Sequence, residues 1–371
     1  MIEQGEPRPP GRKPRVIWIA PALNAYKLQF LNRLAARGRL DIVVVKGSLD
    51  RDAGHKEGSD GPLFDVVGVS ATESTFQFHF ETYAVLARLL RASAADYVVL
   101  PAELKHLGVV LFLFLLKHYY RFQLVTYTHP YVAWNWPTWV SKPLTRFVFS
   151  LHDKVIFYSD QAKERCLREG ILRPEKAFSA NNTLDTDAIW KLYSFETNRS
   201  PQKRILYIGR LAANKGIQTL FEYFAVLREH GVGLVIIGDG PERERVAEAV
   251  ARYPEIEWLG AVDDERVIAA QMRRIHLVFV PGHSGLSIVH SFCYGKPYVT
   301  LSGRQHPPEI DYLEDHRNGL LLAGDFQDNI AAIVRLLADE RAYDGCCQQA
   351  FEKAKSLSVG NWCGQIEAAL N

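Results

Sequence analysis

The stretch Leu277-Val278-Phe279-Val280-Pro281-Gly282-His283-Ser284-Gly285-Leu286-Ser287-Ile288-Val289-His290-Ser291-Phe292-Cys293-Tyr294-Gly295-Lys296-Pro297-Tyr298-Val299-Thr300 decides the fold class. Residues 277–280 form a short apolar strand. A glycine-containing turn follows at 282–285, and a helix-length segment opens after it. Gly295-Lys296-Pro297 ends that helix, and Tyr298-Val299-Thr300 begins the next strand. Strand, turn, helix and strand in that order make a unit of a parallel α/β sheet. The helix N-terminus would offer unpaired N–H groups and the positive end of its dipole to an anion. An ordinary connection with no ligand fits this stretch equally well, so the case for a site depends on the rest of the chain.

Working backwards, the same rhythm fills the second half. Strands are expected at 204–208, 233–237 and 256–259, with helices at 217–230, 241–253 and 264–272. The first half repeats the pattern. Its strands fall at 16–20, 42–45, 97–100, 123–127 and 155–158, and its helices at 28–36, 80–93, 107–119, 137–151 and 161–169. Thr128-His129-Pro130 sits at the C-terminal end of one strand, where ligands approach open α/β sheets. The polar segment 193–203 separates the halves as a linker. The expected architecture is therefore α/β, two doubly wound Rossmann-like domains over 15–192 and 204–355, facing each other across a cleft. Residues 1–14 are expected to be disordered, 47–62 to form a loop, and 356–371 to form a helix crossing back to the first domain.

Composition sets the outer bounds. The chain has 371 residues, 47% hydrophobic and 23% charged, with a formal net charge of +2. That length suits two domains with sizeable cores. The five cysteines show no CxxC spacing and an odd count, which fits a reducing, cytoplasmic setting better than a disulfide framework or a metal site. The N-terminus lacks the apolar core of a signal peptide. The longest apolar run, 107–116, is too short to span a bilayer. No nucleic-acid motif is present.

A second anion signal strengthens the first. Tyr207-Ile208-Gly209-Arg210-Leu211-Ala212-Ala213-Asn214-Lys215-Gly216 leaves a strand, carries Arg and Lys across a glycine-bounded turn, and enters a helix. Arginine bonds phosphate oxygens in pairs, and lysine adds a point charge. A solvated loop would account for this turn alone. Two such turns at strand ends of one sheet are better explained by a pyrophosphate site.

These residues resemble a known family. Gly209-Arg210-Leu211 with Lys215-Gly216, then Ile236-Ile237-Gly238-Asp239-Gly240-Pro241-Glu242, then Trp258-Leu259-Gly260, then the 281–297 stretch look like the nucleotide-sugar-binding domain of glycosyltransferase family 4. The resemblance covers about 200–325 well. In the first half it rests on Thr128-His129 and Asn182-Thr183-Leu184-Asp185. It implies a GT-B fold, no metal or other cofactor, and retaining transfer of a hexose-type sugar from a nucleotide diphosphate sugar. Arg210 and Lys215 would hold the diphosphate and stabilise the leaving group. Gly209, His283, Ser284, Gly285, Leu286 and Ser287 would complete its binding turns. Gly260 and Val262 would line the base, and His129 would lie near the reacting centre.

One departure stands out. The family usually carries two glutamates eight residues apart, and this chain has Gly282 and His290 there. Gly-Leu-Ser followed by His-Ser-Phe-x-Tyr-Gly resembles a branch in which that replacement is usual. His290 would still bond a ribose diol. Glu309, in His306-Pro307-Pro308-Glu309, becomes a candidate donor-site carboxylate. Two other motifs are decoys. Asp185-Thr186-Asp187 is assigned to capping a helix at Ala188, and Gly238-Asp239-Gly240 lacks the third glycine of a dinucleotide fingerprint.

Residues 104–152 contain no acidic side chain but hold Lys105, Lys117, Arg121, Lys142 and Arg146 among many aromatics, including Trp134, Trp136 and Trp139. That mixture fits either a peripheral contact with the inner face of a membrane, suited to a polyprenyl-diphosphate-linked acceptor, or an apolar core with exposed bases. A glycan acceptor, a non-catalytic nucleotide-sugar-binding subunit and a sugar-nucleotide epimerase of the same fold also remain open.

Overall fold

The computed structural model describes residues 12–48, 61–133 and 136–371. Most of the expected disordered start and 47–62 loop, and Trp134, lie outside the described residues. The chain divides into two compact units, one comprising residues up to 180 together with 363–371, the other residues 181–362.

The first unit runs β1 (Arg15–Ala20), α1 (Ala25–Ala36), β2 (Asp41–Ser48), β3 (Asp65–Thr72), α2 (Phe80–Ala92), β4 (Tyr97–Leu100), α3 (Leu107–Tyr120), β5 (Gln123–Thr128), α4 (Thr138–Ser150), β6 (Lys154–Phe157), α5 (Asp160–Arg168) and β7 (Ala177–Ser179). Its strands form one sheet in the order β3-β2-β1-β4-β5-β6-β7. All pairings are parallel. Polar side chains start the helices where the strands hand over. Asn24 accepts the Lys27 N–H ahead of α1, and Ser159 accepts the Ala162 N–H ahead of α5, each satisfying an orphan donor of the first turn.

The second unit runs α6 (Thr186–Leu192), β8 (Arg204–Ile208), α7 (Ile217–Leu227), β9 (Gly233–Ile237), α8 (Arg243–Arg252), β10 (Ile256–Trp258), α9 (Glu265–Met272), β11 (Leu277–Phe279), α10 (Ser287–Cys293), β12 (Tyr298–Leu301), β13 (Gly319–Leu322), α11 (Phe326–Ala338) and α12 (Glu340–Ser356). The sheet order β10-β9-β8-β11-β12-β13 is the doubly wound Rossmann order, again all parallel. Strands β8 and β11 are apolar on both faces because helices cover both sides. Ile205, Leu206, Tyr207, Leu277, Val278 and Phe279 are all fully buried. Each fully buried aliphatic side chain there contributes about 1.5–3 kcal/mol.

Sequence order reverses between β8 and β11. Their C-terminal loops leave neighbouring strands at this switch point, the usual ligand position in such sheets. Both expected anion turns leave these two strands.

Two boundaries differ from expectation. Residues 181–192, expected to end the first domain, pack with the second unit, where Ile189 joins its core. The expected linker is not loose. Tyr193 is buried in the same core, Phe195 stacks on Phe351 with centroids 4.6 Å apart, and Asn198 bonds the carbonyl of Ile275. Its polar composition hid two aromatic anchors. Helix α13 (Val359–Ala369) begins in the second unit, and its last turns belong to the first. There Glu367 is buried and accepts from both Arg37 and Arg39.

Candidate functional site

The loop after β8 is built on backbone contacts. The Gly209 N–H donates to the Ile237 carbonyl at 3.0 Å, and the Leu211 N–H donates to Asp239 at 2.9 Å. Tyr207, buried in the strand, donates its hydroxyl to the Arg210 carbonyl at 2.8 Å. Leu211 is fully buried, so the loop is pinned while the Arg210 side chain stays exposed. Glycine is required where loops touch. A Cβ on Gly238 would lie 1.9 Å from the Gly209 oxygen, and one on Gly240 would lie 2.6 Å from that of Leu211. Gly238-Asp239-Gly240 is thus a close-packing motif that supports the Arg210 loop.

The loop after β11 rests on the first. His283 donates its N–H to the Asn214 carbonyl at 2.9 Å. Lys215 donates its Nζ to the His283 carbonyl at 2.6 Å. Burial lowers the Lys215 pKa, and the charge of Glu309 opposes that shift. Gly282 lies against residues 214 and 215 so closely that a side chain has no room there. The absent glutamate therefore has a steric cause in this chain.

Ser284 is fully buried, and its own surroundings absorb it. Its hydroxyl donates to the Gly282 carbonyl at 2.9 Å, and its N–H donates to His306 Nδ1 at 3.2 Å. His306 Nε2 then donates to the Leu301 carbonyl at 2.9 Å, and burial lowers the pKa of this neutral ring. Of the expected donor-binding residues, Ser284 holds the turn instead of facing outward. Ser287 pairs its hydroxyl with that of Tyr298 at 2.8 Å. Gly285, Leu286 and Ser287 lead into the seven-residue helix α10, where the Ile288 N–H donates to the Gly285 carbonyl at 2.9 Å.

His290 carries a partner that the sequence did not reveal. Its Nε2 lies 2.7 Å from Glu265 Oε1, and Tyr294 donates its hydroxyl to the same oxygen. Burial pushes the Glu265 carboxyl up, but the bonds from His290 and Tyr294 outweigh it and hold the group below its ordinary value. Glu265 opens α9, which Asp264 caps by accepting the Arg266 N–H. Gly260 and Val262 lie just before it, at the end of β10. The Gly238 N–H reaches the Gly260 carbonyl at 2.7 Å.

Glu309 closes the group. It is buried beneath Gly285, bonded to the Asn182 amide, and burial raises its pKa. Asn182-Thr183-Leu184-Asp185 thereby finds its place. Asn182 holds Glu309, Thr183 bonds the Leu357 carbonyl, and Asp185 caps α6 at Ala188, as assigned from the sequence.

Residues 202–339 match the family model of glycosyl transferases group 1. The matched stretch contains the β8 and β11 loops, His290, Glu265 and Glu309. The amylovoran biosynthesis glycosyltransferase AmsD of Erwinia amylovora is 24% identical over 160 residues, 41% of this chain, and the chain spans only 44% of that relative. Two solved structures are similar over nearly their whole length. Anabaena HepE in complex with UDP has a TM-score of 0.69 at 17% identity, covering 97% of this chain and 99% of that one. Sucrose-phosphate synthase from Thermosynechococcus elongatus has a TM-score of 0.70 at 18% identity, covering 96% and 98%. The fold is that of the GT-B glycosyltransferases.

Outside the group 1 domain, His129 stands half-buried at the end of β5, its ring edge-on to Tyr158 at 4.8 Å. Burial lowers its pKa, so the ring is neutral near pH 7. Within electrostatic range of it, Lys105 bridges Glu73 at 2.8 Å and Glu103 at 2.9 Å. Those carboxylates, with His106 beside them, thus hold a cation supplied by the chain itself. Lys117 pairs with Asp153, and Lys142 with Glu169. The acid-free segment is therefore largely neutralised by residues that flank it in space. Its apolar side chains divide. Phe122, Tyr127 and Phe149 are core, whereas Leu115, Tyr119, Trp136, Trp139 and Phe147 are exposed. No helix among the described residues is long and apolar enough to cross a membrane.

Proposed function

We propose that the chain is a glycosyltransferase that moves a hexose-type sugar from a nucleotide diphosphate sugar to a glycan or polyprenyl-diphosphate-linked acceptor, with retention and without a metal. The observation that carries this reading is the interlocking of the loops after β8 and β11, which bear Arg210 and Lys215 and lead into α10. Two cations and a helix N-terminus favour a diphosphate, by charge and by hydrogen-bond geometry. The group 1 match over these residues supports the donor class. HepE was solved with UDP, with UDP and glucose, and with UDP-glucose; a nucleotide diphosphate sugar is the ligand class we assign to this chain.

In the proposed reaction the bond between the anomeric carbon and the phosphate oxygen breaks as the acceptor oxygen bonds the same face. The acceptor proton passes to the departing phosphate. Arg210 and Lys215 stabilise the charge that develops there. We assign His129 a catalytic role in this scheme, as the resemblance implies. The exposed aromatics of 104–152 meet the inner face of a membrane, where a lipid-linked acceptor would be held.

The test is a thermal-shift panel of nucleoside diphosphates followed by assay of nucleotide release from the matching sugar nucleotides. The Arg210→Ala variant should remain folded, and its release rate should fall by about 100-fold or more, the usual effect of removing one group that stabilises transition-state charge. Near-wild-type turnover in folded Arg210→Ala protein would sink the phosphate assignment.

A further inference from the structure

Glu309 is held by one oxygen and leaves the other unengaged. The side chain comes from the 3-10 turn Pro308–Tyr312 and is 5% exposed. Oε1 accepts from the Asn182 amide, and the Asn182 carbonyl accepts the Tyr312 hydroxyl at 3.2 Å. The carboxylate is thus fixed through a residue that is itself fixed. Oε2 is buried, and no other residue among the described ones donates a hydrogen bond to it. It lies 4.0 Å from the point that a Cβ on Gly285 would occupy. A buried acceptor without a partner is destabilising, and an alanine at position 285 would crowd the approach to this one.

We infer that Glu309 Oε2 accepts a hydrogen bond from a hydroxyl of the sugar carried on the bound nucleotide diphosphate. This rests on the donor-site reading of the same turn. The chemistry of the orphan oxygen selects its partner. An ionised carboxylate oxygen only accepts, and it repels a phosphate, which is anionic and also accepts, so a neutral donor is favoured at this spot. A hydroxyl donates, is neutral, and is small enough to approach over a glycine. Lys215 is close enough for its charge to act on Glu309. The carboxylate therefore lies within electrostatic range of the cation assigned to the diphosphate, to which the sugar is attached. Three kinds of hydroxyl could reach it, on the transferred sugar, the ribose or the acceptor, and binding experiments separate them.

The experiment is calorimetric titration of the full chain with UDP and UDP-glucose, and with GDP and GDP-mannose, in the absence of acceptor. Wild type is compared with Glu309→Gln and Glu309→Asp. Glutamine keeps the shape and the Asn182 bond while replacing the acceptor, and aspartate withdraws the oxygen by one carbon. We expect the sugar nucleotide to bind each variant about tenfold more weakly or worse, the size of one charged hydrogen bond. The matching nucleoside diphosphate should keep its affinity within about twofold, because it lacks the sugar. Equal weakening of both ligands overturns the inference in favour of a ribose contact or a scaffold role. Unchanged binding of both overturns it too, and leaves an acceptor hydroxyl as the alternative. If neither pair binds the wild type, the donor-site reading itself fails and takes this inference with it.

Discussion

A Cβ on Gly282 would lie 2.4 Å from the carbonyl oxygen of Asn214. No real side chain tolerates that distance, so position 282 is glycine because the loop after β11 is seated on the loop after β8. His283 and Asn214 fix the seating with a backbone hydrogen bond of 2.9 Å. The glutamate that the resemblance leads one to expect here could be carried only if the two loops parted.

Gly282→Ala should therefore destabilise the second unit by about 1–3 kcal/mol, the usual cost of overpacking. Nucleotide binding should fall with it, because Lys215 is held by the same loop through the His283 carbonyl. Gly282→Glu should be at least as damaging and should not raise turnover. Thermal denaturation and nucleotide titration of the two variants check this. A Gly282→Glu protein that melts with wild type and binds as tightly would show that the loops yield.

Glu265 offers a pH signature. Its carboxyl is held below the ordinary value: burial raises it, but the bonds from His290 and Tyr294 outweigh that. A group with a depressed folded pKa contributes stability above its unfolded value, about 4.3, and loses it as pH falls through the folded value. Wild type should thus lose stability between about pH 5 and the folded pKa, and Glu265→Gln should lose less over that range. At pH 7 the variant should be less stable by about 1–2 kcal/mol. Parallel melting curves from pH 7 to 3 decide. Identical acid limbs would mean that the His290–Glu265 bond contributes nothing.

How much of this was legible in the sequence follows from locality. Gly209, Arg210, Lys215 and the 282–287 turn lie on strand-turn-helix signals that span a dozen residues, and those signals survive without knowledge of packing. The pairings of Glu265 with His290 and of Glu309 with Asn182 do not. Glu265 is 25 residues before His290, and Glu309 is 127 residues after Asn182. No periodicity pairs residues at such separations; the sheet order does. Strands β3 and β7 escaped because they lie at the edges of the first sheet. There burial is partial, and β3 carries Gly68 and Ser70 within its run. The linker reading of 193–203 failed on two aromatic side chains, Tyr193 and Phe195. The second depends on Gly295, whose Cβ would fall 2.2 Å from the Phe195 ring.

The exposed aromatics of the first unit give a separate prediction. Trp136 and Trp139 are 52% and 79% exposed, so replacing both with serine should leave the melting temperature within about a degree. If they meet a membrane, the double variant should sediment several-fold less with vesicles of phosphatidylglycerol and phosphatidylcholine than wild type does. Wild-type protein that stays in the supernatant at low salt ends the membrane reading. With Lys105, Lys117 and Lys142 already paired within the chain, little salt dependence is expected, and the aromatic contribution should dominate.

Glu309 should behave in the opposite sense to Glu265. Burial raises its carboxyl above the ordinary value, with Asn182 and Lys215 only partly offsetting it. A group raised in the folded state contributes stability below its unfolded pKa and loses it as pH rises through the folded value. At pH 8, above the ordinary carboxylate range, this buried group costs stability that a glutamine would not. Glu309→Gln should then melt above wild type at pH 8, and the difference should close towards pH 4. The same substitution is expected to weaken sugar-nucleotide binding, so stability and affinity should move in opposite directions. That divergence separates a missing bond to the ligand from damage to the structure. A variant that melts lower at pH 8 would mean that the Asn182 bond to a charged partner outweighs the burial of that charge.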